Sequence, residues 1–188
     1  MSWTDDTDPA HRTVRDGAVA INGYSFAQDG VPITAGAGAQ TEPAIATNGV
    51  NAVFAWTDTR PGFATDIHAT TMQPGDVNNW TPSPAQPNGI TVSGARNDQT
   101  GADVARRSGH FVAVWTDMRS GGADVYATRI GAAGAVLDAT GVAIAAGTRQ
   151  QRLPSIASSG QTVLVAYQRD VPVAPFSGVD RVFLRLVS

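Results

Sequence analysis

The chain of 188 residues contains no cysteine and no lysine. The lack of thiols excludes a disulfide framework and a thiolate nucleophile, and it leaves the redox compartment open. The lack of lysine excludes a Schiff base and a phosphate-loop ammonium. All thirteen basic residues are therefore arginine, and of the sixteen acids only Glu42 is a glutamate. The arginines are scattered and the formal net charge is −3, so no basic stripe marks a nucleic-acid face. No apolar run approaches the roughly 18 residues that a membrane-spanning helix requires. Met1-Ser2 runs straight into patterned sequence, so no signal peptide is expected at this end. No stretch joins a helix cap to a 3.6-residue apolar period, which predicts essentially no helix.

What the chain has instead is a repeat. Residues 111–130, FVAVWTDMRSGGADVYATRI, read as two strands joined by a hairpin. Residues 52–72 repeat them as AVFAWTDTRPGFATDIHATTM, and residues 163–187 repeat them with Tyr167 in the Trp place. The chain opens on SWTDD, so Trp3 is a further copy cut at its front. Gly30, Gly89 and Gly141 open matching short apolar segments. Ten residues after each glycine stands a glutamine (Gln40, Gln99, Gln151), and sixteen after that the aromatic Trp56, Trp115 or Tyr167.

One unit therefore has four strands. The first follows the Gln and the second ends at the aromatic. The third starts near Asp66, Asp124 or Asp180, and the fourth is the Gly-led segment. The aromatics recur every 52 to 59 residues. Periods of that size with four short strands predict an all-β fold, a β-propeller or propeller segment of four repeat units. The units run approximately 1–39, 40–98, 99–150 and 151–188 of a single domain. The second strands are apolar at nearly every position, as in Val112-Ala113-Val114 and Val163-Leu164-Val165-Ala166, which predicts sheets covered on both faces. The first unit lacks its first strand and the last unit its fourth. Either a ring closes on a reduced blade, or another copy completes the split blade, or the chain is a segment of a longer one.

The pattern W-x-D-x-R-x-G-x-x-D-[IV]-Y-A resembles the TolB-type and WD-repeat-like propeller repeats of bacterial secreted and periplasmic proteins. Trp115, Asp117, Arg119, Gly121 and Asp124-Val125-Tyr126-Ala127 match nearly in full. The copy from Trp56 to Ala69 has His68 in the Tyr position, and the copy from Tyr167 to Arg185 is degenerate. The resemblance covers almost the whole chain. It implies a propeller scaffold that binds sugars, peptides or proteins, and an extracellular or cell-surface setting. The repeats also look something like sialidase-type repeats, but the S-x-D-x-G-x-T-W pattern is not present as such.

Trp3, Trp56, Trp115 and Tyr167 recur at one scaffold position, so packing between blades is expected of them rather than sugar stacking. Asp58 with Arg60 and Asp117 with Arg119 are expected to form local hydrogen bonds that staple the hairpins. With Asp66 or Asp124 added, such a cluster offers a Ca²⁺ ion some of the six to eight oxygens it requires. The arginine in the same loop competes with the metal, so no cofactor is expected. Asp5-Asp6-Thr7-Asp8 is the better lone Ca²⁺ candidate, but it lacks the D-x-D-x-D-G loop spacing and reads rather as a solvated turn. The unit holding Trp56 carries an insertion, since Trp56 to Gly89 spans 33 residues against 26 from Trp115 to Gly141. The insertion holds Trp80, the one Trp outside the repeat position. Trp80, Asn79 and Asp76 are the candidate ligand-binding residues, because loops on a rigid scaffold carry binding.

Catalysis finds little support in the residues. No G-x-S-x-G elbow is present, and His11, His68 and His110 lie far apart without metal-ligand spacing. A packing role is expected for His68. Fifteen aspartates could supply a glycosidase pair through space, but most stand in turns, where Asp caps its own backbone. Arg60, Arg119 and Arg169 recur near similar turns and would line one rim. The expected function is thus a non-catalytic binding module for a carbohydrate or a protein partner. The alternatives are a sialidase-like or other glycoside hydrolase, and a scaffold segment completed by homo-oligomerisation.

Overall fold

The computed structural model describes residues 2–5, 13–16, 31–34, 36–60, 64–73, 81–82, 86 and 88–187; for residues 2–5, 13–16, 31 and 81–82 the description is of the backbone. Among these residues there is no helix. Strands β1 (Ser2–Asp5), β2 (Thr13–Asp16) and β3 (Val31–Pro32) form the first sheet. The second is built from β4 (Gln40–Thr47), β5 (Ala52–Asp58) and β6 (Asp66–Gln73). Both β7 (Thr81–Pro82) and β8 (Ile90–Ser93) pair with the outer edge of β6. The third sheet is β9 (Gln99–Arg107), β10 (His110–Asp117), β11 (Asp124–Gly131) and β12 (Val142–Ala145). The fourth is β13 (Gln151–Ser158), β14 (Val163–Val171) and β15 (Val179–Val187). All strand pairs are antiparallel, and β4, β9 and β13 lie side by side along one flank of the stack. The architecture is that of propeller blades. β7 closes the insertion onto Met72 and Gln73, a pairing that the sequence pattern does not reveal.

The core lies between sheets. Val53, Ala55, Ile67 and Ala69 on one face of the second sheet meet Phe111, Ala113 and Trp115 on the third. On the third sheet's other face, Val112, Val114, Val125 and Ala127 meet Val163, Val165 and Tyr167 of the fourth. β5 is buried at every position, and β10 at every position after His110, so their continuous apolar runs are explained by neighbours on both sides. β14 departs from the expectation. It buries Val163, Val165 and Tyr167 but leaves Leu164 exposed, because among the described residues no sheet covers its second face.

Three local devices recur among the units. Two residues past each repeated Gln the first strand bulges, with positive φ at Glu42 (55°), Gly101 (63°) and Leu153 (51°). The bulge turns a backbone N–H toward the preceding sheet. Gly101 N donates to Thr57 Oγ1 at 3.2 Å, and Leu153 N to Thr116 Oγ1 at 3.1 Å. The repeated Gln is itself buried, and Gln99 Nε2 donates to the carbonyl of Asn97 at 2.7 Å.

The third device is the Gly-led segment. Gly89 and Gly141 have φ of +71° and +68°, and a Cβ would fall 2.7 Å from Trp56 Cη2 or 3.0 Å from Trp115 Cζ2. These glycines repeat because the indole occupies the space of a side chain. Gly141→Ala should cost about 2–4 kcal/mol, the sum of left-handed strain and overpacking. Gly109→Ala, at φ +80° in open space, should cost about 1–2 kcal/mol from strain alone. Urea unfolding of both variants checks this, and equal costs would remove the indole contact as the cause.

Candidate functional site

The repeated Trp, Asp and Arg come together at the end of each second strand. Trp56 Nε1 donates to Asp58 Oδ2 at 2.9 Å, and Trp115 Nε1 to Asp117 Oδ2 at 2.8 Å. The same carboxylates accept from the backbone N–H of Arg60 and Arg119, both at 2.9 Å. They also meet the guanidinium groups, at 3.1 Å for Arg60 and 2.6 Å for Arg119. Each arginine then reaches the carbonyl before the Gly-led strand. Arg119 Nη1 donates to Thr140 O at 2.6 Å, and Arg60 Nη2 to Asn88 O. Trp56, Trp115, Asp58 and Asp117 are buried. Burial pushes the Asp117 carboxyl up, but the hydrogen bonds from Arg119 and Trp115 outweigh it and hold its pKa below the ordinary value. The two carboxylates are fully buried in this staple, and the Arg60 and Arg119 side chains keep 29% and 22% exposure.

Each indole stacks on the residue across the hairpin. Trp56 lies on His68 with centroids 6.3 Å apart, Trp115 on Tyr126 at 6.4 Å, and Tyr167 on Phe183 at 6.0 Å. Arg119 caps Tyr126 at 4.2 Å, and Arg169 caps Phe183 at 3.7 Å. Arg169 is nevertheless not the counterpart of Arg60 and Arg119. It lies inside β14, two residues after Tyr167, in the place of Asp58 and Asp117 rather than at the turn. The two changes belong together. Tyr167 has no indole N–H, so the buried acceptor has no donor to satisfy, and a cation over Phe183 takes its place.

His68 is buried and its Nδ1 has no hydrogen-bond partner. Burial above all, then the charge of Arg60, lowers its pKa to about 4, against an opposing pull from Asp58. It is neutral at pH 7. In the unfolded chain it binds a proton below about pH 6.5, so stability is lost as pH falls from about 6.5 to 4 and levels off below. His68→Tyr, the residue at Tyr126, should remove that part of the pH dependence. Urea midpoints of the two proteins should diverge over this range, and parallel curves would refute the assignment.

The carboxylates along the first strands are taken up between sheets. Glu42 Oε2 accepts from Thr57 Oγ1 at 2.6 Å and from Gly101 N at 2.8 Å. Asp103 Oδ2 accepts from Ile156 N at 2.9 Å and from Ser155 Oγ at 3.1 Å. Burial and the facing Asp58 raise the pKa of Asp66. Asp124 is held by Ser120 Oγ at 2.7 Å and Gly147 N at 3.1 Å. Among the described residues no group of three or more His, Asp or Glu is placed to hold a metal ion. A groove between the third and fourth sheets is lined by Arg107, His110 and Arg129, and Asp138 pins Arg129 at 2.7 Å.

Trp80, Asn79 and Asp76 lie outside the described residues, as does the Asp6-Thr7-Asp8 turn. Trp3 is described by its backbone, paired with Arg15 as Trp56 is with His68. Sequence reasoning missed the clasp between Thr57 or Thr116 and the next sheet's bulge. The repeated Thr of Trp-Thr-Asp was the available sign.

No protein-family model matches the chain, and no curated protein does. Solved structures do match. An α-L-arabinofuranosidase from Lactobacillus brevis aligns over all of this chain and 71% of its own, with a TM-score of 0.53 at 11% identity. A putative glycosidase from Bacteroides thetaiotaomicron aligns over all of this chain and 70% of its own, with a TM-score of 0.47 at 12% identity. TolB from Acinetobacter baumannii aligns over 97% of this chain, which spans 39% of its length, with a TM-score of 0.45 at 8% identity. At these identities the likeness speaks for fold alone, and the fold is an all-β assembly of propeller-type blades.

Proposed function

We propose that the chain is a non-catalytic binding module of propeller architecture, acting through a protein partner. One observation carries this reading. Among the described residues most carboxylates are held in scaffold hydrogen bonds or ion pairs, while the fourth sheet leaves Leu164, Val182, Leu184 and Leu186 at 41%, 76%, 64% and 63% exposure. A contiguous aliphatic patch on a rigid sheet is a feature of interaction surfaces. Against it, a glycosidase requires two unengaged carboxylates across a cleft. Glu42 and Asp103 hold backbone N–H groups of the next sheet instead.

The test is a panel of fluorogenic glycosides, α-L-arabinofuranosides included, run beside a glycan array. No turnover is expected. Hydrolysis that disappears in Glu42→Gln or Asp103→Asn, with folding intact, would overturn the reading. Selective glycan capture lost in Trp80→Ala would keep the binding module but replace the protein partner with a sugar.

A further inference from the structure

We propose that the open face of the fourth sheet receives the first sheet of a second copy of this chain, so that the blade stack continues from one molecule into the next. The inference rests on the binding-module reading and names the partner. Register carries it. In the second sheet, Val53 opposes Thr71, Ala55 opposes Ala69 and Thr57 opposes Ile67. In the third, Val112 opposes Arg129, Val114 opposes Ala127 and Thr116 opposes Val125. In the fourth, Leu164 opposes Leu186, Ala166 opposes Leu184 and Gln168 opposes Val182.

These are the same positions of the repeat, and in the second and third sheets their apolar members are buried under the next sheet. In the fourth sheet the same positions carry Leu164, Val182, Leu184 and Leu186, and these four are exposed. Leu184 stands where the other sheets have Ala69 and Ala127. A face written for burial and found uncovered specifies its cover, which is the aromatic-bearing face of another blade.

The other end of the stack supplies one. The first sheet holds Trp3 at the register position of Trp56 and Trp115. In the third sheet the Trp115 face is the one that receives the preceding sheet, and in the fourth the Tyr167 face does. By register the first and fourth sheets are therefore complementary to each other and not to themselves. A contact of that kind is heterologous, and two copies satisfy both ends by closing on each other.

Light scattering on a sizing column tests this with the whole chain. The expected mass is about twice the 19.5 kDa of one chain. Val182→Asp and Leu184→Asp, both at exposed positions, should fold as judged by circular dichroism and run as monomers, with the dissociation constant raised roughly 30-fold or more. Trp3→Asp should break the opposite end. Mixing Leu184→Asp with Trp3→Asp should restore a dimer through the single intact junction, which a two-fold contact of like faces could not do. A monomer at every concentration, or a dimer indifferent to both substitutions, overturns the proposal. Either result leaves the non-catalytic reading standing, since that falls on glycoside turnover alone.

Discussion

Trp115→Ala should lower the unfolding free energy by about 3–5 kcal/mol, the cost of emptying a fully buried large aromatic site. Four features of the site set the size of the loss. The ring fills the core between the second and third sheets. It stacks on Tyr126, closes against Gly141, and its N–H satisfies Asp117. Removing it opens a cavity that stiff strands on both sides cannot collapse into, and it orphans a carboxylate oxygen. Against a total of about 5–15 kcal/mol for an ordinary domain, the variant should sit near the edge of folding. Thermal unfolding should fall by roughly 10 °C or more. Met118→Ala, three residues on and 40% exposed, should stay within about 0.5 kcal/mol. A Trp115→Ala protein as stable as the Met118→Ala protein would remove the indole from the core account.

The repeat was legible because it is written in residues whose physics leaves little choice. A Trp at the end of an apolar run, an Asp two residues later and a glycine at the fourth strand recur together because one indole touches all three environments. Strand order and the absence of helix followed from that spacing. Other features were not legible, for definite reasons. The bulge at Glu42 and Leu153 uses residue types that ordinarily avoid positive φ, so composition gives no sign of it. By residue type Arg169 matches the turn arginines, whereas its side chain reaches Phe183 from the Asp position. The open face of β14 could not be seen either. Val163-Leu164-Val165-Ala166 reads as a doubly covered strand, and a sequence pattern records what a face is made for, not what covers it.

Asp117→Ala should cost about as much as losing the indole, some 3–5 kcal/mol, although it deletes far less apolar surface. Its side chain has no solvent exposure and accepts from Trp115, from the Arg119 backbone and from the Arg119 guanidinium. Alanine leaves a buried N–H and a cation with nothing to answer them. The fourth sheet indicates how that cost divides. There the indole N–H is gone with Tyr167, and the acid is gone too. In a Trp115→Phe background, then, Asp117→Ala should cost about 1–2 kcal/mol less than in wild type, a coupling that a double-mutant cycle reads directly. Acid should narrow the difference in a defined order. The folded carboxyl titrates below its ordinary range, so its contribution is complete above about pH 4 and is lost as pH falls through the depressed folded value. Wild type and Asp117→Ala should therefore keep a constant gap in unfolding free energy down to about pH 4 and narrow it only beneath that. Narrowing already at pH 6 would mean that the staple is held by something other than this ionised acid.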